Sequence, residues 1–349
     1  MSARRGRWSG VVTSALCFAA LACSGGGENK TVATGDSASA GAAGGKPIRI
    51  AMIAKSSDNP VFLASRTGAE AAAKELSEKS GRKVEVEWMT PGKEDGEVQA
   101  QRIRQAVNEG VDAILISCSD AGKVTGAIND AVARGVPVMT FDSDAPQSQR
   151  FAYYGVDDVK TGNLVMAELA KLMNGQGKIG IIAGNQNAPN LQNRVKGVKE
   201  EAAKTPGIQI VGTFNHTETP QDAAAEVVRV RNAYPDIQGF AMIGGWALFT
   251  PSLVNDLDPT RVKIASVDAL GSQLVYVEKG IAPVLLAQPV YQWGYVGVNT
   301  IIDKVHAKKD VPTIIPMDLV RVTKENLGEW ARQLQAWGFT DVPEAYLKM

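Results

Sequence analysis

From residue 47 onward, short apolar runs alternate with helical segments, and this alternation constrains the fold more than any other feature. Residues 48–54, 84–88, 113–116 and 136–141 read as buried strands. Helical patterns lie between them, over 60–79, from about 95 to 108, and up to Gly135. The rhythm restarts at 178–183 and continues through 208–213, 239–243, 263–267 and 284–287. Strands alternating with helices of this length build right-handed βαβ units and parallel sheets, an α/β fold. Some nine strands are more than one doubly wound sheet usually carries. The interruption between Asp142 and Lys178, which holds its own helix, therefore predicts two similar lobes. At the end, 311–322 reads as extended and 327–337 as helical.

The first twenty-three residues do not fit this rhythm. Arg4, Arg5 and Arg7 precede an apolar run over 11–21, and small residues Ala20 and Ala22 lead into Cys23. That is the layout of a secretory signal, and the run is too short to be a permanent membrane span. A cysteine where cleavage belongs resembles a bacterial lipoprotein signal, which predicts lipidation of Cys23. Residues 24–46, rich in Gly, Ala, Ser and Thr, then read as a flexible tether. About 300 residues remain, enough for two lobes with separate cores. Cys17 would leave with the leader and Cys118 would stay single, so no internal disulfide is expected.

Charge and motifs exclude several functions. Lys+Arg 37 against Asp+Glu 37 gives no net charge, which argues against nucleic acid as the main partner. His216 and His306 stand far apart, with no partner cysteine or acidic ligand motif, so neither a metal site nor a His-based triad is expected. A dinucleotide site needs G-x-G-x-x-G after the first strand, but that turn here is KSSDNP. No cofactor is expected.

In open parallel sheets, ligands bind at the carboxyl ends of the strands. Those ends are polar in this chain: Lys55 to Phe62, Ser117-Cys118-Ser119-Asp120, Asp142-Ser143-Asp144, Gly184 to Asn187, Gly244-Gly245-Trp246, Asp268-Ala269 and Gln288-Pro289. Singly, several of these have a structural use. Asn59 before Pro60 makes a good helix cap, and Asp120 and Asp222 suit the same role. Jointly, Asp142, Asp268 and Gln288 would be partly buried and would need partners. A polyhydroxy ligand supplies them, since carboxylates accept from hydroxyls while amides both donate and accept. Phe62 and Trp246 could face the apolar sides of a sugar ring or pack in the core.

These segments together resemble the type I periplasmic sugar-binding proteins of the ribose/galactose-binding group, which serve ABC importers. The likeness runs from Lys46 to about Thr323 and rests on NPVF, GVDAILISCSDA, GVPVMTFDSDAP, NRVKGVKE, AYPDIQGFAMIGG, IASVDA and VLLAQP. It implies two doubly wound lobes, 47–156 with 290–322 and 157–289 with 323–349, joined by crossings near Val156, Pro289 and Val322. It also implies that Asn59, Phe62, Asp142, Asp268 and Gln288 contact the sugar. Where the family carries an arginine before the R-x-x-G segment, this chain has Gln192, with Asn190 nearby. The family's Asn-Asp pair is Gly244-Gly245, followed by Trp246, and an arginine often found after the strand-four aspartate is Ser143. The expected site is thus Asn59, Phe62, Ser117, Asp142, Asp144, Asn190, Gln192, Trp246, Asp268 and Gln288. Two glycines before Trp246 predict newly opened space beside a stacking surface, which favours a pyranose over a furanose.

The function so implied is that of a monomeric, non-enzymatic receptor in the periplasm or cell envelope, lipid-anchored at Cys23. It would capture a monosaccharide between its lobes and deliver it to ABC permease subunits. A sensor passing the liganded state to a membrane receptor or kinase would use the same capture chemistry. A transcription regulator with this core would need a helix-turn-helix where the signal and tether stand. An α/β enzyme would need a nucleophile–base set, and Asp142 with Asp144 alone does not make one.

Overall fold

The computed structural model describes residues 45–349. The expected signal, Cys23 and tether positions 24–44 lie outside the described residues. The first half runs β1 (Ile48–Ile53), α1 (Pro60–Ser80), β2 (Val84–Trp88), α2 (Gly96–Asn108), β3 (Ala113–Ile116), α3 (Ala121–Ala133), β4 (Val138–Phe141) and β5 (Ala152–Gly155). The second repeats the pattern: α4 (Asp158–Leu172), β6 (Gly177–Ala183), α5 (Pro189–Ala202), β7 (Ile208–Asn215), α6 (Pro220–Ala233), β8 (Gly239–Met242), β9 (Lys263–Val267), α7 (Leu274–Glu278) and β10 (Val284–Ala287). Then follow α8 (Val290–Val305), β11 (Ile314–Pro316), β12 (Val320–Val322), α9 (Leu327–Ala336) and α10 (Glu344–Leu347).

The strands form two six-stranded sheets, ordered β11-β5-β4-β3-β1-β2 and β12-β10-β9-β8-β6-β7. Matching the orders makes β1 to β5 the counterparts of β6 to β10. Every pair is parallel except β10 with β12. Both are doubly wound sheets, and each reverses its strand order beside its first strand, the point at which such folds bind ligands.

Burial explains the strands. Ile48, Ile50, Met52 and Ala54 enter one core while Ala51 and Ile53 enter another, so β1 is covered on both faces. A parallel strand packed by helices on both sides needs this near-continuous apolar run. On the first face α1 lies against α8 at close range. A Cβ on Gly294 would come within 1.9 Å of the Ser65 carbonyl oxygen, and one on Gly68 within 2.0 Å of that of Tyr291. Only glycine permits that approach, and it fixes the start of α8 relative to α1.

Two details depart from the sequence reading. β5, the four residues AYYG, lies inside the stretch read as an interruption. It follows a polar turn and is too short to show a period. The extended stretch 311–322 is two strands in different sheets: β11 pairs with β5, and β12 pairs antiparallel with β10. The last crossing between sheets therefore falls at 317–319, ahead of Val322. Pro316, which cannot donate to a ladder, sits on the edge strand β11, where that loss is tolerated.

Candidate functional site

The carboxyl ends of the two sheets face each other, and the strand-end residues meet there. Asp142 follows β4 and Asp268 follows β9, the equivalent strand of the second sheet. Both adopt the left-handed region, with φ of 56° and 65°. Aspartate tolerates this conformation better than most residues, and such backbone is concentrated at functional sites. Each amide also bonds to the neighbouring strand, Asp142 N–H to the Tyr154 carbonyl at 3.1 Å and Asp268 N–H to that of Leu286 at 2.9 Å.

A cavity of about 20 Å³ lies between them, lined by Lys55, Asn59, Phe62, Asp142, Asn190, Arg194, Glu218, Trp246, Asp268, Gln288 and Trp293, with Val61 and Leu191. That volume holds about one water, so a monosaccharide enters only if the walls separate. Polar contacts hold the walls together. Lys55 Nζ donates to Asn190 Oδ1 at 3.2 Å, and Asn190 Nδ2 donates to Asp142 Oδ1 at 3.1 Å. Ser117 Oγ donates to Asp142 Oδ2 at 2.7 Å. Asp268 accepts from Gly245 N–H at 3.0 Å and from Gln288 Nε2 at 2.9 Å. Arg194 donates to Gln288 Oε1 at 2.9 Å, to Asp158 Oδ1 at 2.8 Å and to the Ile243 carbonyl at 3.2 Å. Asn59 Oδ1 accepts from Val61 N–H at 3.2 Å, so this residue caps α1 as well as lining the cavity. Farther out, Asn185 bridges the lobes, its N–H to Glu218 at 3.0 Å and its Nδ2 to Glu94 at 3.0 Å.

Seven expected residues thus line one cavity: Asn59, Phe62, Asp142, Asn190, Trp246, Asp268 and Gln288. Three lie elsewhere. Ser117 is fully buried behind Asp142 and orients its carboxylate. Asp144 pairs with Arg150, Nη2 to Oδ2 at 2.6 Å, and takes a bond from Thr140 Oγ1 at 2.6 Å. Gln192 is exposed and donates to the Gln186 carbonyl. Helix geometry explains the last: Gln192 is two residues from Asn190 on α5, about 200° around the helix, whereas Arg194 is four away and shares its face. That spacing could have identified Arg194. Lys55, Glu218 and Trp293 were also missed. Nothing in sequence separates Lys55 from a solvated lysine, and Trp293 reads as part of an apolar helix face.

Trp246 corrects a further expectation. A Cβ on Gly244 would meet the Trp246 ring at 2.1 Å, so the space above this glycine is filled by that indole instead of being open. The ring lies 5.4 Å from His216, edge to face, and lines the cavity.

Burial and neighbouring charges compete over the ionisation of Asp158, Asp268, Glu218 and Lys55. Burial pushes the Asp158 carboxyl up to about 7 against the pull of Arg194. It likewise raises Asp268, opposed by Arg194 and Gln288, and Glu218, opposed by Lys55. For Lys55 burial is the largest influence and acts downward, yet Glu218, Glu94 and Asp142 outweigh it and the pKa rises.

Residues 50–309 match the family described as "Periplasmic binding protein domain". The ribose import binding protein RbsB of Bacillus subtilis (strain 168) is 25% identical over 270 residues, covering 77% of this chain and 85% of that protein. Among solved structures, the chain is similar to an ABC transporter solute binding protein from Burkholderia graminis C4D1M in complex with D-arabinose. Identity there is 27% and the TM-score 0.73, covering 80% of this chain and 96% of the other. GanP, a glucose-galactose binding protein from Geobacillus stearothermophilus, gives 26% identity and a TM-score of 0.74, covering 81% and 99%.

Proposed function

Because the chain belongs to the periplasmic binding protein domain family, we propose that it captures a monosaccharide between its lobes and delivers it to an ABC importer. One observation carries this reading: Asp142 and Asp268 meet at a single buried cavity from equivalent strand ends of opposite lobes. Each carboxylate accepts bonds from sugar hydroxyls. Asn59, Asn190, Gln288 and Lys55 supply further polar contacts, while Phe62 and Trp246 face the apolar sides of a pyranose ring. The relatives named above support the ligand class, since their names specify ribose, arabinose and glucose-galactose.

The sugar replaces the contacts that hold the closed walls together, and the lobes hinge at the three crossings. Closure on a ligand is the hinge motion for which periplasmic binding proteins are a standard example. The first lobe comprises 47–156 with 290–316, the second 157–289 with 320–349. The protein acts by binding, as a monomer, without catalysis. A signal over 1–23 exports it, and a lipid on Cys23 anchors it through the tether over 24–46. Mass spectrometry of the mature N-terminus reads this last point: an acylated Cys23 is expected, and an unmodified terminus at another residue rejects the anchor.

The capture reading is tested by thermal unfolding against a monosaccharide panel. A ligand that binds only the folded state stabilises by RT ln(1 + [L]/Kd), about 4 kcal/mol at a thousand-fold excess over Kd. A raised Tm is expected with at least one pyranose. No shift with any member at millimolar concentration overturns the reading.

A further inference from the structure

We propose that Trp293 selects the ligand directly, its indole N–H donating a hydrogen bond to an oxygen of the bound sugar; this rests on the capture reading above. Trp293 lines the cavity and is 1% exposed, yet its Nε1 has no hydrogen-bond partner among the described residues. An indole nitrogen is only a donor, and burying it without an acceptor is costly. The fold meets this need elsewhere: the buried Trp330 donates from Nε1 to the Ala269 carbonyl at 2.7 Å. Trp293, which lines the cavity, is the described tryptophan whose indole nitrogen is fully shielded and still unpaired.

The ring is also fixed in place. Its centroid lies 6.1 Å from that of Phe62 and 6.0 Å from that of Phe141, and the two phenylalanines are 6.5 Å apart. Gly294, the next residue, packs directly on the Ser65 carbonyl of α1, which holds this turn of α8 in place. Nearby cavity groups complement it. Asp142 and Asp268 are placed to accept hydrogen bonds from hydroxyls, while Lys55 makes one hydrogen bond with its ammonium and keeps donors to spare. A sugar hydroxyl that donates to a carboxylate retains lone pairs, and a ring oxygen only accepts. Trp293 fits either of these oxygens.

The test is calorimetric titration of the purified protein with the sugar that raises its Tm most. Trp293→Phe keeps an aromatic ring and removes the donor. An about ten-fold rise in Kd is expected, the loss of one hydrogen bond. A deoxy or carba analogue lacking the accepting oxygen should bind both proteins with the same affinity, which a purely structural role of Trp293 does not predict. If the phenylalanine variant packs poorly, β-(3-benzothienyl)alanine at position 293 preserves the ring shape without the N–H, and it should show the same loss. Unchanged affinity in the isosteric variant overturns the proposal. If the unsubstituted protein binds no monosaccharide, the capture reading fails and this inference falls with it.

Discussion

Asp142 and Asp268 occupy equivalent positions in the two sheets and share the same rare backbone conformation, but they are held differently. Asp268 takes its bonds from Gly245 and Gln288, both within its own half of the chain. Asp142 takes one from Ser117 behind it and one from Asn190, which reaches it from α5 in the other lobe. In the proposed opening, the two hydrogen bonds to Asp268 would stay intact while the Asn190 bond to Asp142 would break. One lobe carries a preassembled acceptor. The other carries an acceptor that would change partner if the lobes move as proposed.

The strongest way to break this contrast is to remove the support of the second wall. Arg194 holds Gln288, which holds Asp268, and it also pairs with Asp158. Arg194→Ala leaves buried carboxylates without their cation and should destabilise the domain by about 3–5 kcal/mol in urea unfolding. A change under about 1 kcal/mol would mean that Asp268 is organised without Arg194.

Next in size are the aspartates. Asp142→Ala and Asp268→Ala should each weaken sugar binding about ten-fold or more, because each removes a charge-assisted acceptor. They should differ in the free protein. Losing Asp268 strands the Gly245 and Gln288 donors within one lobe, whereas losing Asp142 also frees Asn190 and so favours opening. Unchanged affinity in both variants removes these residues from the site.

Acidification sharpens the contrast from another side. Burial raises the pKa of Asp268 in the folded protein. Its folded value then lies above its unfolded one, so its contribution to stability is present at low pH and declines as pH rises through the folded value. Binding has the opposite trend, since the ionised carboxylate is the better acceptor. Calorimetry at several pH values should show affinity falling on acidification before an ordinary aspartate would protonate, and Asp268→Asn should flatten that profile. The smallest effects belong to Asp144 and Gln192. Asp144→Ala and Gln192→Ala should leave sugar affinity within about two-fold, both side chains being engaged away from the cavity.

What the sequence made legible follows the same physical division. Strands and their polar ends are local signals, so the alternating fold and residues such as Asp142, Asp268 and Gln288 could be found directly. β5 was hidden because four residues carry no period. Lys55 stands in a polar strand end, yet nothing local tells a buried ligand contact from a solvated lysine, and Glu218 and Trp293 join the site only when distant stretches fold together. Arg194 was within reach, since its four-residue spacing from Asn190 places both on one helix face. The choice of Gln192 followed a position in a family pattern and overlooked that face.

A protein that captures a sugar as proposed closes its two lobes on the ligand. Lys93 and Asn187 are exposed on opposite walls of the cleft mouth, and Cys118, the one cysteine among the described residues, is fully buried. Spin labels on Lys93→Cys and Asn187→Cys in the body spanning 45–349 therefore report the width of the mouth through pulsed dipolar spectroscopy. A broad distance distribution is expected without sugar, narrowing and shortening when the stabilising monosaccharide is added but not in Asp142→Ala at the same sugar concentration. A distribution unchanged by saturating sugar would contradict this closure.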